Sequence, residues 1–154
     1  MNVNKKKQIA ELNREIHLRS KATHCNICSK KITTTCNSHC LPRFILKEIS
    51  ENGELRYGQA LIKNADEITQ TKLGINNAKT FHLLCKECDQ RYFAEYENAE
   101  NLFNFENLTE QDKNLVLSEI SIKTHLNFKY QKLVHLNMKK IVYQLEFERL
   151  KKNK

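Results

Sequence analysis

Two cysteine pairs of identical spacing, Cys25-Asn-Ile-Cys28 and Cys85-Lys-Glu-Cys88, constrain this chain more than any other feature. A two-residue gap lets both sulfurs of a pair point at one ion from a tight turn. Two such pairs supply the four thiolates of one tetrahedral Zn²⁺. Because 56 residues separate Cys28 from Cys85, a compact zinc ribbon does not account for the spacing, and a folded insertion is expected between the pairs. The expected Zn²⁺ is structural, since four thiolates leave no coordination position open. The bland alternative is four small buried side chains.

This reading needs reduced thiols. The first residues, MNVNKKKQIAELNREI, are basic but have no apolar stretch behind them, unlike a secretory signal. No apolar run is long enough to span a bilayer. The expectation is a cytoplasmic chain without membrane contact, where cysteines serve as metal ligands rather than disulfides.

Turn punctuation is scarce: 3 glycines and 1 proline in 154 residues favour long helices over many short strands. Three segments are expected: a basic N-terminal helix over 1–23, a zinc-stabilised core over 24–105 and a C-terminal helical region over 106–154. In the first, Ile9, Leu12 and Ile16 share one helical face. In the core, KKITTT suits a short strand. Pro42 is placed as a first-turn residue of a helix beginning PRFILKEIS, Gly53 marks a turn, and residues 55–78 are ambiguous. AKTFHLLC reads as a strand that runs through the second cysteine pair into a helix, DQRYFAEYENAENLF. In the third segment, Thr109 is a plausible N-cap with Asp112 three residues on. One helix is expected from Glu110 to about Thr124, then a second carrying Val134, Met138, Ile141 and Leu145 as one apolar stripe. That stripe would pack internally or join two copies of the chain.

The net charge is +8, and it sits on the flanks. Residues 1–24 hold six Lys/Arg against two Asp/Glu, residues 25–108 ten against eleven, and residues 109–154 ten against five. Basic flanks suit a polyanionic partner, because binding to phosphates releases counterions. Solvated helix faces account for the same distribution.

Three stretches, CNIC, SHCLPRFIL and LLCKECDQRYFAEYE, occur in this order between about residues 24 and 98. Together they resemble the HNH, or His-Me finger (ββα-metal), endonucleases, in the subtype stabilised by Cys-x-x-Cys pairs. The resemblance implies an α+β fold: a small ββα core holding a structural zinc, flanked here by the N-terminal helix and the C-terminal helical region. It implies that His39 is the general base that deprotonates water for attack on a phosphodiester in DNA, a task suited to imidazole. It implies one Mg²⁺ or Mn²⁺ with oxygen ligands, with Asp89 and Ser38 at the cation-holding positions. Arg43, four residues past His39, would hold a neighbouring phosphate.

The departures from the family pattern are specific. Ser38 stands where an acidic residue or histidine is common, and Tyr92 where some members carry histidine. The middle asparagine has only Asn76 and Asn77 as candidates, and Glu95 or Glu97 are substitute ligands. His39 has two rival roles, zinc ligand and buried core side chain. Cys36 and Cys40 either replace one cysteine pair or are small buried residues. Strand alternation would set those two on one side and turn Asn37 and His39 differently, which argues for the second. His24 and His82 flank the ligands, and His17, His125 and His135 read as plain helix residues. The functional expectation is a metal-dependent DNA endonuclease. The alternative is a module of the same fold that has lost catalysis and binds nucleic acid or a protein partner.

Overall fold

The computed structural model describes residues 3–57 and 71–152. The middle of the ambiguous stretch therefore lies outside the described residues. The architecture is α+β. Helix α1 (Val3–Ser20) is followed by β1 (Ser38–His39), α2 (Arg43–Glu48), β2 (Glu54–Tyr57), β3 (Thr71–Gly74) and β4 (Thr80–Phe81). Then come α3 (Lys86–Tyr92), α4 (Ala94–Glu97), α5 (Ala99–Phe103), a 3₁₀ turn (Phe105–Asn107) and α6 (Glu110–Lys152). Strands β1 and β4 pair antiparallel, as do β2 and β3.

Both sheets are small for identifiable reasons. The expected strand over KKITTT shrinks to one bridge, Lys31 with His24. The chain there closes the first cysteine turn instead: Cys25 N–H donates to Lys30 O and Ile32 N–H to Thr23 O, both at 2.9 Å. The expected strand AKTFHLLC is regular only at Thr80–Phe81. Beyond it the carbonyls of His82, Leu83 and Leu84 accept from Ala22, Asn26 and Cys36 at 2.9, 3.0 and 3.2 Å. That stretch is satisfied by separate loop residues rather than by one partner strand. At Asn52 and Gly53 φ is +54° and +75°, the two left-handed residues of a tight hairpin turn.

Pro42 sits at the cap of α2 rather than in its first turn, with ψ 143°, and Leu46 N–H returns to its carbonyl. The helix after the second cysteine pair is broken twice. Phe93 leaves helical geometry (φ −136°, ψ 23°), and Asn98 restarts the chain by accepting from Glu100 N–H. The C-terminal region is one helix of 43 residues, about 64 Å long, rather than two. No Gly or Pro after residue 108 interrupts it. Thr109 caps it: its hydroxyl accepts from Asp112 N–H at 3.2 Å and donates to the Asp112 carboxylate at 2.6 Å.

The three expected segments share one core. It joins Ile16 of α1 to Cys25, Phe81, Leu83, Leu84, Cys88 and Phe93, and these to Leu126, Tyr130, Val134 and Ile141 of α6. Polar contacts lock α1 to α6: His17 Nδ1 lies 3.1 Å from Tyr130 Oη, and Asn137 donates to Ser20 Oγ at 3.0 Å. His17 is an exposed residue of α1, as expected, and its ring also meets Tyr130. Burial pushes the Tyr130 phenol up to about 12, so it stays a neutral donor. Of the expected stripe, Val134 and Ile141 are buried and Met138 packs against them, whereas Leu145 is exposed.

The stripe is therefore internal as far as Ile141. Ile141→Lys is expected to lower unfolding stability by about 2–5 kcal/mol, from lost packing and a buried charge, with no change in mass in solution. Urea unfolding and light scattering check this; a loss of mass at unchanged stability would place Ile141 in a dimer interface instead.

Candidate metal centre

The first cysteine pair sits in a hairpin turn. Ser29 takes φ 58°, and its N–H donates to Cys25 O at 2.9 Å, which folds the loop back on itself. The second pair opens α3. Cys85 is the residue before its first turn, in extended geometry, and its carbonyl accepts from Asp89 N–H at 3.1 Å. Asn26 binds the two together, its N–H and side-chain amide both donating to Leu83 O.

This arrangement brings the Sγ atoms of Cys25, Cys28, Cys85 and Cys88 within 4.8 Å of one another. Cys28 Sγ and Cys85 Sγ are 3.9 Å apart. A tetrahedral Zn²⁺ with Zn–S bonds of about 2.3 Å requires sulfurs about 3.8 Å apart, so the four residues fit such an ion. The four thiols also affect one another's ionisation. Burial raises the Cys25 thiol, but backbone N–H groups of Cys28, Cys85 and Ile27 outweigh it and bring the thiol down to about 6. Cys88 is driven strongly upward, by burial and by the neighbouring sulfurs of Cys85, Cys28 and Cys25. Four thiolates cannot coexist at this spacing unless a cation sits among them. A divalent ion removes the conflict, and the residues supply nothing for it to do beyond holding the fold.

Cys36 and Cys40 stand outside the four-sulfur group. Cys36 Sγ lies 3.0 Å from Ser38 Oγ and donates to Leu84 O at 3.4 Å. Burial raises both thiols, Cys36 to about 11. They are small, half-buried, protonated side chains.

His39 lies on β1, opposite Thr80 of β4, and its Nε2–H donates to Ile75 O at 3.0 Å. The acceptor is a carbonyl, so the neutral ring carries its proton on Nε2 and its lone pair on Nδ1. Tyr96 Oη donates to the carbonyl of the next residue, Cys40, at 2.9 Å and fixes the strand from the far side. Arg43 is exposed in the first turn of α2.

Of the two residues expected to hold a catalytic cation, Ser38 is engaged by Cys36, whereas Asp89 faces an ammonium but has a buried oxygen without a hydrogen-bond partner. Ser38 is fully buried against Cys36. Asp89 Oδ1 is buried with the Lys123 ammonium 3.4 Å away. Among the described residues, no second group of three His, Cys, Asp or Glu is close enough to hold an ion. Ser38 and Asp89 thus do not present the set of oxygens that a hard divalent cation needs.

Lys123 escaped the sequence reading. It is fully buried, ion-paired to Asp89 and Glu97, and its ammonium lies 4.8 Å from the centre of the Phe93 ring. Glu119, one turn earlier on α6, is also buried and accepts from Tyr96 N–H at 2.8 Å. A signal existed: Val116, Glu119, Lys123, Leu126, Tyr130 and Val134 follow a three-four spacing that places all of them on the inward face. No family model, curated protein or solved structure matches the chain.

One Zn²⁺ per chain is expected by elemental analysis of the purified protein. Cys28→Ser or Cys85→Ser should lose the ion and most of the cooperative unfolding transition. Cys36→Ser and Cys40→Ser should keep the ion; zinc loss in either would mean that the four-sulfur assignment is wrong.

Proposed function

We propose that this chain is a zinc-stabilised protein of the HNH type that acts on DNA, with His39 as the general base of phosphodiester hydrolysis. The observation that carries the reading is the orientation of the His39 ring. Its Nε2–H is committed to Ile75 O, which leaves Nδ1 as the free acceptor. A base must be held in one tautomer and one direction, and β1, Ile75 and Tyr96 supply that fixation. The order of parts supports the same reading: cysteine turn, histidine strand, paired strand, second cysteine pair, helix.

In this reading a water molecule gives its proton to His39 Nδ1 as its oxygen forms a bond to phosphorus. The bond from phosphorus to the departing sugar oxygen breaks, and that oxygen takes a proton from solvent. Arg43, exposed four residues beyond His39, would pair with a flanking phosphate through two parallel N–H bonds. The basic segments contribute longer-range attraction. Residues 1–24 and 109–154 carry the excess charge, and α1 packs on α6 through Ile16 and the core face of α6. Excess charge of this kind gives binding that weakens steeply with salt.

A second reading is a module that kept this fold, lost cleavage and binds DNA through the same segments. The engagement of Asp89 by Lys123 favours it. Plasmid cleavage separates the two. Wild type and His39→Ala, matched for zinc content, are compared with and without added Mg²⁺ or Mn²⁺. The nuclease reading expects the variant to lose about 10²–10⁴-fold in rate. No cleavage by either protein, together with salt-sensitive DNA binding, selects the binding module. Zinc loss in His39→Ala would show that His39 is a ligand.

A further inference from the structure

We propose that the buried ammonium of Lys123 is the resident cation of the strand-and-helix core, so that the chain takes up no divalent ion at Asp89. The inference takes its catalytic meaning from the reading of His39 above. Its physical basis is separate.

The geometry is that of a caged cation. Lys123 is fully buried on α6 and reaches across to two other helices, to Asp89 on α3 and Glu97 on α4. The Phe93 ring, at the break between those helices, lies 4.8 Å from the ammonium. A buried carboxylate, Asp89, a partly exposed one, Glu97, and one aromatic face thus contact a single buried positive charge, an arrangement that holds an ammonium in place. The cage borders the histidine strand. Tyr96, next to Glu97, donates through its hydroxyl to the carbonyl of Cys40, the residue after His39, at 2.9 Å.

A divalent ion at Asp89 would have to share this space with a fixed positive charge. Two cations at contact distance in a low-dielectric interior repel strongly. The Lys123 side chain is fully buried and held by both carboxylates. The chain therefore carries its compensating cation in its own C-terminal helix. The position where the family resemblance implies a labile metal is closed to one. Any hydrolysis by His39 is then independent of added divalent ions.

The test measures Mn²⁺ uptake by electron paramagnetic resonance on zinc-loaded protein. Wild type should leave Mn²⁺ free at millimolar concentration, and its melting temperature should not move with Mg²⁺. Lys123→Met should gain one saturable Mn²⁺ per chain, and Lys123→Met combined with Asp89→Asn should lose it again. Mn²⁺ binding by wild type that Asp89→Asn abolishes would overturn the proposal. So would a folded Lys123→Met that binds no Mn²⁺. Should Lys123→Met fail to fold, recovery of folding on adding Asp89→Asn and Glu97→Gln supports the charge role, and no recovery rejects it. The cleavage assay decides His39 alone: a protein that cuts no DNA but excludes Mn²⁺ would sink the nuclease reading and leave this inference standing.

Discussion

The four-sulfur cluster is the constraint on which the rest of the structure depends. It fixes residue 25 against residue 85, and the strand pair β1–β4 is held only a few residues from it. That sheet has two paired positions, Ser38 with Phe81 and His39 with Thr80. A ladder so short has no independent stability. Closing a loop of this length costs chain entropy that grows slowly with length. An ion held by four thiolates, with an apparent binding free energy of about 10–16 kcal/mol at neutral pH, is of the size needed to offset it. The hydrogen bonds from Ala22, Asn26 and Cys36 to the carbonyls of 82–84 then follow, because the cluster has already brought those segments together.

Helix α6 solves the remaining problem, which is that the core around the four cysteines is too small to enclose itself. Leu126, Tyr130, Val134 and Ile141 close one side of it, and α1 fills the space alongside. The same helix also carries two charged residues inward, Glu119 and Lys123. Such residues are costly unless paired. Each finds its partner on the irregular stretch after the second cysteine pair: Tyr96 N–H for Glu119, and Asp89 with Glu97 for Lys123. This explains why that stretch is broken rather than one smooth helix. The interruption at Phe93 turns Glu97 and the backbone at Tyr96 toward α6, and places the Phe93 ring over the ammonium. A buried pair of this kind adds little net stability over well-packed apolar residues, but removing one member costs about 3–5 kcal/mol. Its effect is to fix how α6 docks.

Much of this was legible in the residues. The spacing of Cys25–Cys28 and Cys85–Cys88 points to a metal grip, because a two-residue gap lets both sulfurs of each pair face one ion. Thr109 with Asp112, Pro42 and Gly53 gave the start of α6, the start of α2 and a hairpin turn, each through local chemistry that no distant contact overrides. The extents of the strands were not legible. Residues 30–35 and 78–85 have strand-like composition, but the cysteine turn and the neighbouring loops decide where their hydrogen bonds go. The continuity of α6 was not legible, because a helix from Glu110 to about Thr124 and a second one behind it account for the same apolar spacing. The inward face passes directly through Lys123, and a paired lysine is invisible to a hydrophobic pattern. The roles of Ser38 and Asp89 came from resemblance alone, and a resemblance does not report the partner that a third element brings.

These dependencies bear on how chelation of this protein is to be understood. His39 pairs directly with Thr80 of β4, and β4 leads within four residues to Cys85. Ile75, which orients the His39 ring, belongs to the turn that joins β3 to β4. Removing the structural ion would release β4, and with it both the strand and the carbonyl that hold the imidazole. Any activity of His39 would vanish on treatment with a strong chelator, whether or not a second metal takes part in the chemistry. Loss of function on chelation is therefore uninformative about a catalytic metal here. The informative condition is the opposite one, with the four thiolates saturated by zinc and every weaker-binding divalent ion withheld. Under that condition the strand, the ring and its free nitrogen stay in place, and only a labile ion would be missing.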